Sequence, residues 1–340
     1  MPAGLLQLPT TGAVTGLQNN QDANAALAAL ATAIQGGSAP TTGSTGLASM
    51  AGVLWHDTTN NVLKLRNQAD TAWITLFNVN EAGGTATPLF FGVQFYTFLR
   101  GYLGGLQLSN DGTTPNTTID ISPGVAVTDD QLAILTTSVT FTKTTAAWAA
   151  GSGAGALDAG SVAASTWYHV YIIFNATTGA LDFLISTSLT PTMPAGFTNK
   201  RRLGSIKTNA SSNILPFVQR GDVFIWKNAS LDVNITNLST TQLLETLAGV
   251  PPGLPFDALI RGNFTNAAAA NLLLSPPDES GDTTITTGNL TASCIAGGSN
   301  GFNLTIRTNA SQQINALASA ASTTLHVNTY GWIDTRGRFD

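Results

Sequence analysis

At 340 residues the chain exceeds what one hydrophobic core usually supports, so two or three domains are expected. Its formal charge is −5 with only 14 Lys plus Arg, and these form no stripe able to neutralise a row of phosphates, which argues against a nucleic-acid partner. Charged residues make up 10% of the chain, against ~25% in ordinary soluble domains, so neutral Ser, Thr, Asn and Gly must meet the solvent.

The N-terminal MPAGLLQLPTTG has no basic stretch ahead of a short apolar one, and no run nears the ~18 apolar residues of a spanning helix. Neither a secretory leader nor membrane insertion is therefore expected. From Leu17 to Ile34, Leu17, Asn20, Asn24, Leu27, Ala31 and Ile34 recur at spacings of three and four, which predicts a short helix. Its seam suits either a trimeric coiled coil, with Asn20 and Asn24 setting register, or docking of one amphipathic helix on its own domain. Gly36-Gly37 ends it, and the SAPTTGSTG run at 38–46 reads as a linker.

Next, Val53-Leu54-Trp55 and Val62-Leu63-Lys64-Leu65 flank the turn formers Asp57-Thr58-Thr59-Asn60-Asn61, predicting a hairpin. Ala72 to Phe77 adds a third strand and would let Trp55 and Trp73 share a face. Short β runs continue from Phe91 to Trp226, including Thr118–Ile121, Gly124–Val127, Trp167–Phe174 and Leu181–Ile185, at a spacing that favours a sandwich or barrel. Trp148 to Ser161, rich in Gly and Ala, reads as a long loop, and Ser239 to Ala248, with a Ser cap and spaced leucines, as a short helix ended by Pro251-Pro252. Beyond it β runs resume. The fold class expected is mainly β, divided into an N-terminal segment at 1–37, a linker and hairpin module at 38–90, a central β domain at 91–230 and a C-terminal β domain at 231–340.

Residues able to do chemistry are sparse. His56, His169 and His326 are isolated, with no metal-ligand spacing around them, and read as structural histidines. Asp129-Asp130 and Asp278-Glu279 are the acidic pairs one would examine for glycoside hydrolysis, but both lie in turn-like sequence and read as solvated charges. Gly151-Ser152-Gly153-Ala154-Gly155 lacks the glycine pattern and following helix of a nucleotide loop. Cys294, the lone cysteine, reads as a small buried hydrophobe. Triplets such as those at Asn175, Asn209, Asn228, Asn234 and Asn303 follow from Asn and Thr abundance. Lys200-Arg201-Arg202 admits three readings: an anion contact, a solvated strand end, or salt bridges between subunits. No catalytic, cofactor-binding or metal-ligating residue is nominated.

Three stretches carry a resemblance: Gly52 to Asn61 with Trp73-Ile74; Tyr168-His169-Val170 with Lys200 to Ile206; and Tyr330-Gly331-Trp332-Ile333-Asp334-Thr335-Arg336-Gly337-Arg338. In them the chain resembles tail-fibre and related virion fibre or spike proteins of tailed bacteriophages. The resemblance implies a structural, non-enzymatic subunit of the virion, assembled in the bacterial cytoplasm as an intertwined homotrimer and joined to other virion proteins through its N-terminus. It further implies host attachment through surface carbohydrate or an envelope protein, with the distal contact expected in 251–340, at loops 275–282 and 295–301. Two other readings stay open: a head or collar decoration with no receptor role, and a tailspike that degrades polysaccharide.

Overall fold

The computed structural model describes residues 35–41, 49, 51–80, 82–90, 93–94, 101–130, 133–279 and 283–338. The helix expected at 17–34 lies outside them. The described residues are mainly β-strand in several sheets, one of them nearly closed like a barrel, and the chain divides into two compact units, 1–99 and 100–340.

In the first unit β1 (Gln35–Gly36), β2 (Leu54–Asp57), β3 (Val62–Arg66), β4 (Trp73–Asn80), β5 (Thr85–Phe90) and β6 (Val93–Gln94) follow one another in a single sheet. The hairpin and third strand lie where the turn formers placed them. Asp57 caps the turn, its carboxylate accepting from the Thr59 and Asn60 amides, Asn60 Nδ2 and Lys64 Nζ at 2.8–3.2 Å. Asn61 supplies the left-handed residue the turn needs, at φ 52°. Trp55 and Trp73 do pack, edge to face at 5.3 Å.

The second unit begins with β7 (Leu103–Gly105), β8 (Leu108–Asn110), β9 (Thr118–Ile121), β10 (Gly124–Val127), β11 (Ile134–Thr137), β12 (Phe141–Ala147), β13 (Gly155–Leu157), β14 (Trp167–Asn175), β15 (Ala180–Ser186) and β16 (Asn199–Lys207). These make a three-stranded sheet, β11-β10-β7, and a seven-stranded one, β16-β14-β15-β13-β12-β9-β8. There follow β17 (Phe217–Arg220), β18 (Val223–Leu238), β19 (Leu243–Thr246), β20 (Asp257–Thr265), β21 (Ala270–Ser275), β22 (Ala292–Cys294), β23 (Ser299–Arg307), β24 (Gln313–Ala318) and β25 (Thr323–Ile333). They form a five-stranded sheet, β17-β18-β25-β20-β23, and a four-stranded one, β19-β24-β21-β22.

One hydrophobic core runs through this unit from Leu103 to Trp332. The expected division at 230/231 falls inside β18, whose two halves both pair with β25, so the two β domains anticipated there are a single body with continuous packing. β14 shows why. Its alternate residues Tyr168, Val170 and Ile172 enter the main core, while Tyr171 and Ile173 fill a second cluster with Leu184 on the opposite face, so the strand is buried on both sides.

Two local expectations are corrected. Residues 239–248 contain strand β19, paired with β24, in place of a helix. Ser239 Oγ accepts from the Thr241 amide two residues on, forming a turn and not a helix cap, and β24 supplies ladder hydrogen bonds that outweigh the weak helix preference of Thr240 and Thr241. Within the loop expected at 148–161 lies β13, with Ala156 and Leu157 buried and strands running parallel on either side. Gly155 is needed there, because a Cβ would sit 2.0 Å from the Ala147 carbonyl oxygen.

Candidate functional site

The Lys200-Arg201-Arg202 run occupies β16, the edge strand of the seven-stranded sheet. In the ladder with β14, Lys200 opposes Ile173, Arg201 opposes Ile172 and Arg202 opposes Tyr171; one residue further the register slips, and Gly204 opposes Val170. The bulge rests on Gly204 at φ 149°, where a Cβ would strike the Phe224 ring at 2.5 Å. Bulges re-aim the side chains beside them, and this one separates the basic run from the core residues Leu203 and Ile206.

The end of the chain closes onto that run. Trp332, fully buried on β25, stacks on Phe224 at 4.8 Å and meets Trp167 edge-on at 5.4 Å. Two residues on, Asp334 takes both terminal nitrogens of Arg202 at 2.7–3.0 Å, a buried bidentate pair. Asp334 Oδ1 also accepts from the Arg336 amide at 2.8 Å, bending the backbone so that Arg336 and Gly337 both take positive φ, 57° and 68°. Arg336 then reaches Asp222 at 3.3 Å and the Gly105 carbonyl at 3.2 Å, and Arg338 pairs with the same Asp222.

Between these elements lies a cleft of about 250 Å³ lined by Thr128, Asp129, Tyr171, Leu189, Lys200, Arg201, Arg202, Leu254 and Arg336, with backbone from Gly101 and Gly337. Four of its lining residues are cationic and one is a carboxylate. Asp129 accepts from Lys200 Nζ at 2.6 Å and stands 3.9 Å from Arg201 Nη1. The neighbouring Asp130 turns away to Thr128 Oγ1 at 2.6 Å and Asn199 Nδ2 at 2.5 Å. Electrostatics at this place run positive. Burial first, and Arg202 second, push His169 down to about 3, so it is a neutral ring sharing a 2.9 Å hydrogen bond with Ser205. Burial, with Arg202 adding to it, also lowers Arg336 from the usual guanidinium range. Burial raises the Tyr171 phenol, whose hydroxyl donates to the Ser188 carbonyl at 3.0 Å.

Of the three readings of Lys200-Arg201-Arg202, the solvated strand end fits Lys200 alone, because Arg201 and Arg202 are buried and their carboxylates come from the same chain. The acidic pair Asp129-Asp130 is thus held in the cleft wall and behind it. Asp278 of the other pair ion-pairs with Arg307 at 2.7 Å on the surface. Among the described residues no group of three His, Cys, Asp or Glu is placed to hold a metal ion. Cys294 is buried in β22. Of the expected contact loops, Ile295 is exposed, and residues 280–282 lie outside the described set.

A second charged centre gave almost no sequence signal. Lys143 on β12 and Asp182 on β15 form a salt bridge of 2.8 Å with both side chains buried. Lys143 Nζ also donates to the Ala149 and Gly151 carbonyls, and Asp182 accepts the Gly151 and Phe183 amides, so every strong donor and acceptor of the pair is used. The only hint in the sequence is a single Lys among alternating threonines, and period-2 burial points it inward.

These features define a class: a mainly-β protein whose larger unit is locked by buried ion pairs, with a cationic cleft where its last strand ends. No protein-family model matches the chain, and no curated protein matches it in sequence.

Proposed function

We propose that the chain is a structural subunit of a virion fibre or spike of a tailed bacteriophage, a homotrimer attached through its N-terminal region and contacting the host through its β-rich larger unit. The observation that supports this reading is a convergence. Two of the three resembling stretches, 168–170 with 200–206 and 330–338, are far apart in sequence but pack as one structural centre. His169 pairs with Ser205, Trp332 meets Trp167, and Asp334 holds Arg202. The third stretch is a complete folded module, the hairpin of β2 and β3 with Trp73 on β4. The resemblance therefore falls on the residues that organise the fold, as expected for a shared architecture.

Low charge supports assembly as well, since neutral polar faces are cheap to desolvate between identical subunits. Light scattering on the purified protein should return three times the chain mass of 35.1 kDa; a monomer throughout the micromolar range would refute the trimer. Because the larger unit has one core, the whole protein is the reagent for the attachment test. Saturating protein should slow adsorption of the virions that carry it, and unchanged adsorption would leave a decoration role.

A further inference from the structure

We infer that the outward face of the five-stranded sheet, on β25 and its neighbours β18, β20 and β23, is a binding platform for a neutral saccharide chain of a few rings. For its biological setting this rests on the host-contact reading above; the chemistry of the face does not. Two adjacent rows run across the strands. Asn328, Arg261 and Asn303 stand side by side on β25, β20 and β23; in the next row Asn234, His326 and Asn263 stand side by side on β18, β25 and β20. They alternate with core residues such as Ile260, Phe264, Leu325 and Val327, so they point away from the core.

Asparagine is depleted in strands, because its short amide competes with the ladder for backbone hydrogen bonds. Asparagines elsewhere in this unit compensate by holding turns, as Asn175, Asn209 and Asn309 do. On the sheet face that return is missing. The side chains of Asn234, Asn303, Asn328 and His326 make no hydrogen bond among the described residues, and only Asn263 is tied, its Nδ2 donating to Ser299 Oγ. Residues that break a local preference without a structural gain mark function. A bulge points to the same place: Tyr330 is the extra residue of β25 opposite β20, between the pairs Leu259–Gly331 and Ile260–Thr329. Its ring lies 6.0 Å from the Arg261 guanidinium. Beside it, Ile225 and Leu259 flank Gly331, where a Cβ would strike the Phe224 carbonyl oxygen, so an apolar row without a central side chain adjoins the polar rows.

A sugar chain has both matching halves: hydroxyls that donate and accept as amides do, and a C–H face that packs on an aromatic ring. One cation is too little for a polyanion, and the rows lack the central apolar anchors of a protein interface. From strand spacing the face measures roughly 14 Å each way, room for a few rings. The core behind it holds the face rigid, so binding orders little.

The test is saturation-transfer NMR and calorimetry of the full chain with maltohexaose, mannohexaose and chitohexaose, each beside its monosaccharide, with glycerol as the non-sugar control. At least one hexasaccharide should bind with a Kd of about 1 mM or tighter, and about 10-fold or more tighter than its monosaccharide, since only a chain spans both rows. Tyr330→Ala and Arg261→Ala should each weaken binding about 10-fold. Asn234→Thr combined with Asn303→Thr puts strand-favouring residues at two exposed positions. That pair should weaken binding about 5-fold or more while Tm holds or rises by about 1–3 °C, a split that residues serving only the fold would not give. Should Tyr330→Ala fail to fold, the asparagine pair decides. The inference is overturned if no hexasaccharide binds, if the monosaccharide or glycerol binds as well, or if folded Arg261→Ala and the asparagine pair leave affinity unchanged. It is also overturned if those variants lower the mass seen by light scattering without changing sugar binding, which would make the face a contact with a second copy. Protein that binds sugar through this face yet does not slow virion adsorption would sink the host-contact reading and leave the inference standing.

Discussion

The hairpin of the first unit and the sheets of the second both set a carboxylate against a cation, but they use the pair differently. Asp57 and Lys64 are seven residues apart, and their bond closes a turn that the intervening Thr-Thr-Asn-Asn already favours. Arg202 and Asp334 are 132 residues apart, and their bond fixes where the end of the last strand lies against the edge of another sheet. The local pair reinforces a conformation the backbone prefers. The distant pair selects one arrangement among many, at the cost of desolvating two charges.

The sharpest way to break this contrast is at Lys143. Lys143→Ala leaves Asp182 charged and buried, and should destabilise the second unit by about 3–5 kcal/mol in urea unfolding. The double change Lys143→Met with Asp182→Leu removes both charges and should recover most of that loss. A double variant as unstable as the single one would mean that the bonds to Ala149, Gly151 and Phe183 matter more than the charges do.

Asp334→Asn should be nearly as harmful, about 3 kcal/mol, because Arg202 would keep its charge in a buried site. The loss should come with faster amide exchange in β25 and β16 and none in β2–β4. Uniform exchange across both units would show that the contrast between them is not real.

Acid should separate the units a third way. Folded His169 has a pKa of about 3, below the ~6.5 of an unfolded chain, so unfolding takes up a proton between those values. Its contribution is complete above pH 6.5 and falls as pH drops toward 3, by up to about 1.4 kcal/mol per pH unit. Asp57 is held down to about 2, chiefly by its hydrogen bonds to Lys64 and Asn60. The stability it lends the hairpin is complete above pH 4 and is lost only as pH falls toward 2. Exchange measured at pH 5 should therefore show the second unit loosened and the hairpin intact, and His169→Gln should flatten the second unit's response between pH 6.5 and 4.

What the sequence disclosed follows the same division. The hairpin, the pairing of Trp55 with Trp73 and the burial of Cys294 were readable, because turn formers and period-2 alternation act over a few residues. The helix expected at 239–248 failed because the partner strand that makes Leu243–Thr246 extended lies some seventy residues later. The domain boundary expected at 230 failed because β18 is held along its length by β25, a pairing no local composition reports. The Lys200-Arg201-Arg202 run was visible as a cluster, but its partners Asp129 and Asp334 and the cleft between them are products of topology. Lys143 gave almost no signal, since an isolated Lys in a strand is ordinarily a surface residue.

The smallest effect belongs to Arg66, and it tests the other end of the comparison. Its Nε donates to Asp70 Oδ1 at 2.8 Å, its Nη2 to the Asp70 carbonyl at 2.7 Å, and its guanidinium lies 5.4 Å from the Trp73 ring centre. By geometry alone this pair is as good as Lys143–Asp182. Both side chains are partly exposed, however, so water already solvates the charges and salt screens them. Arg66→Ala should cost the hairpin only about 0.5–1 kcal/mol, read as a modest rise in amide exchange confined to β3 and β4, and part of that cost should vanish in 1 M salt. The cation-ring contact is less salt-sensitive than the ion pair, so what remains at high salt measures it. A loss above about 2 kcal/mol would mean that the Asp70 turn, at φ 55° and tied by Arg66, is the element holding the meander together.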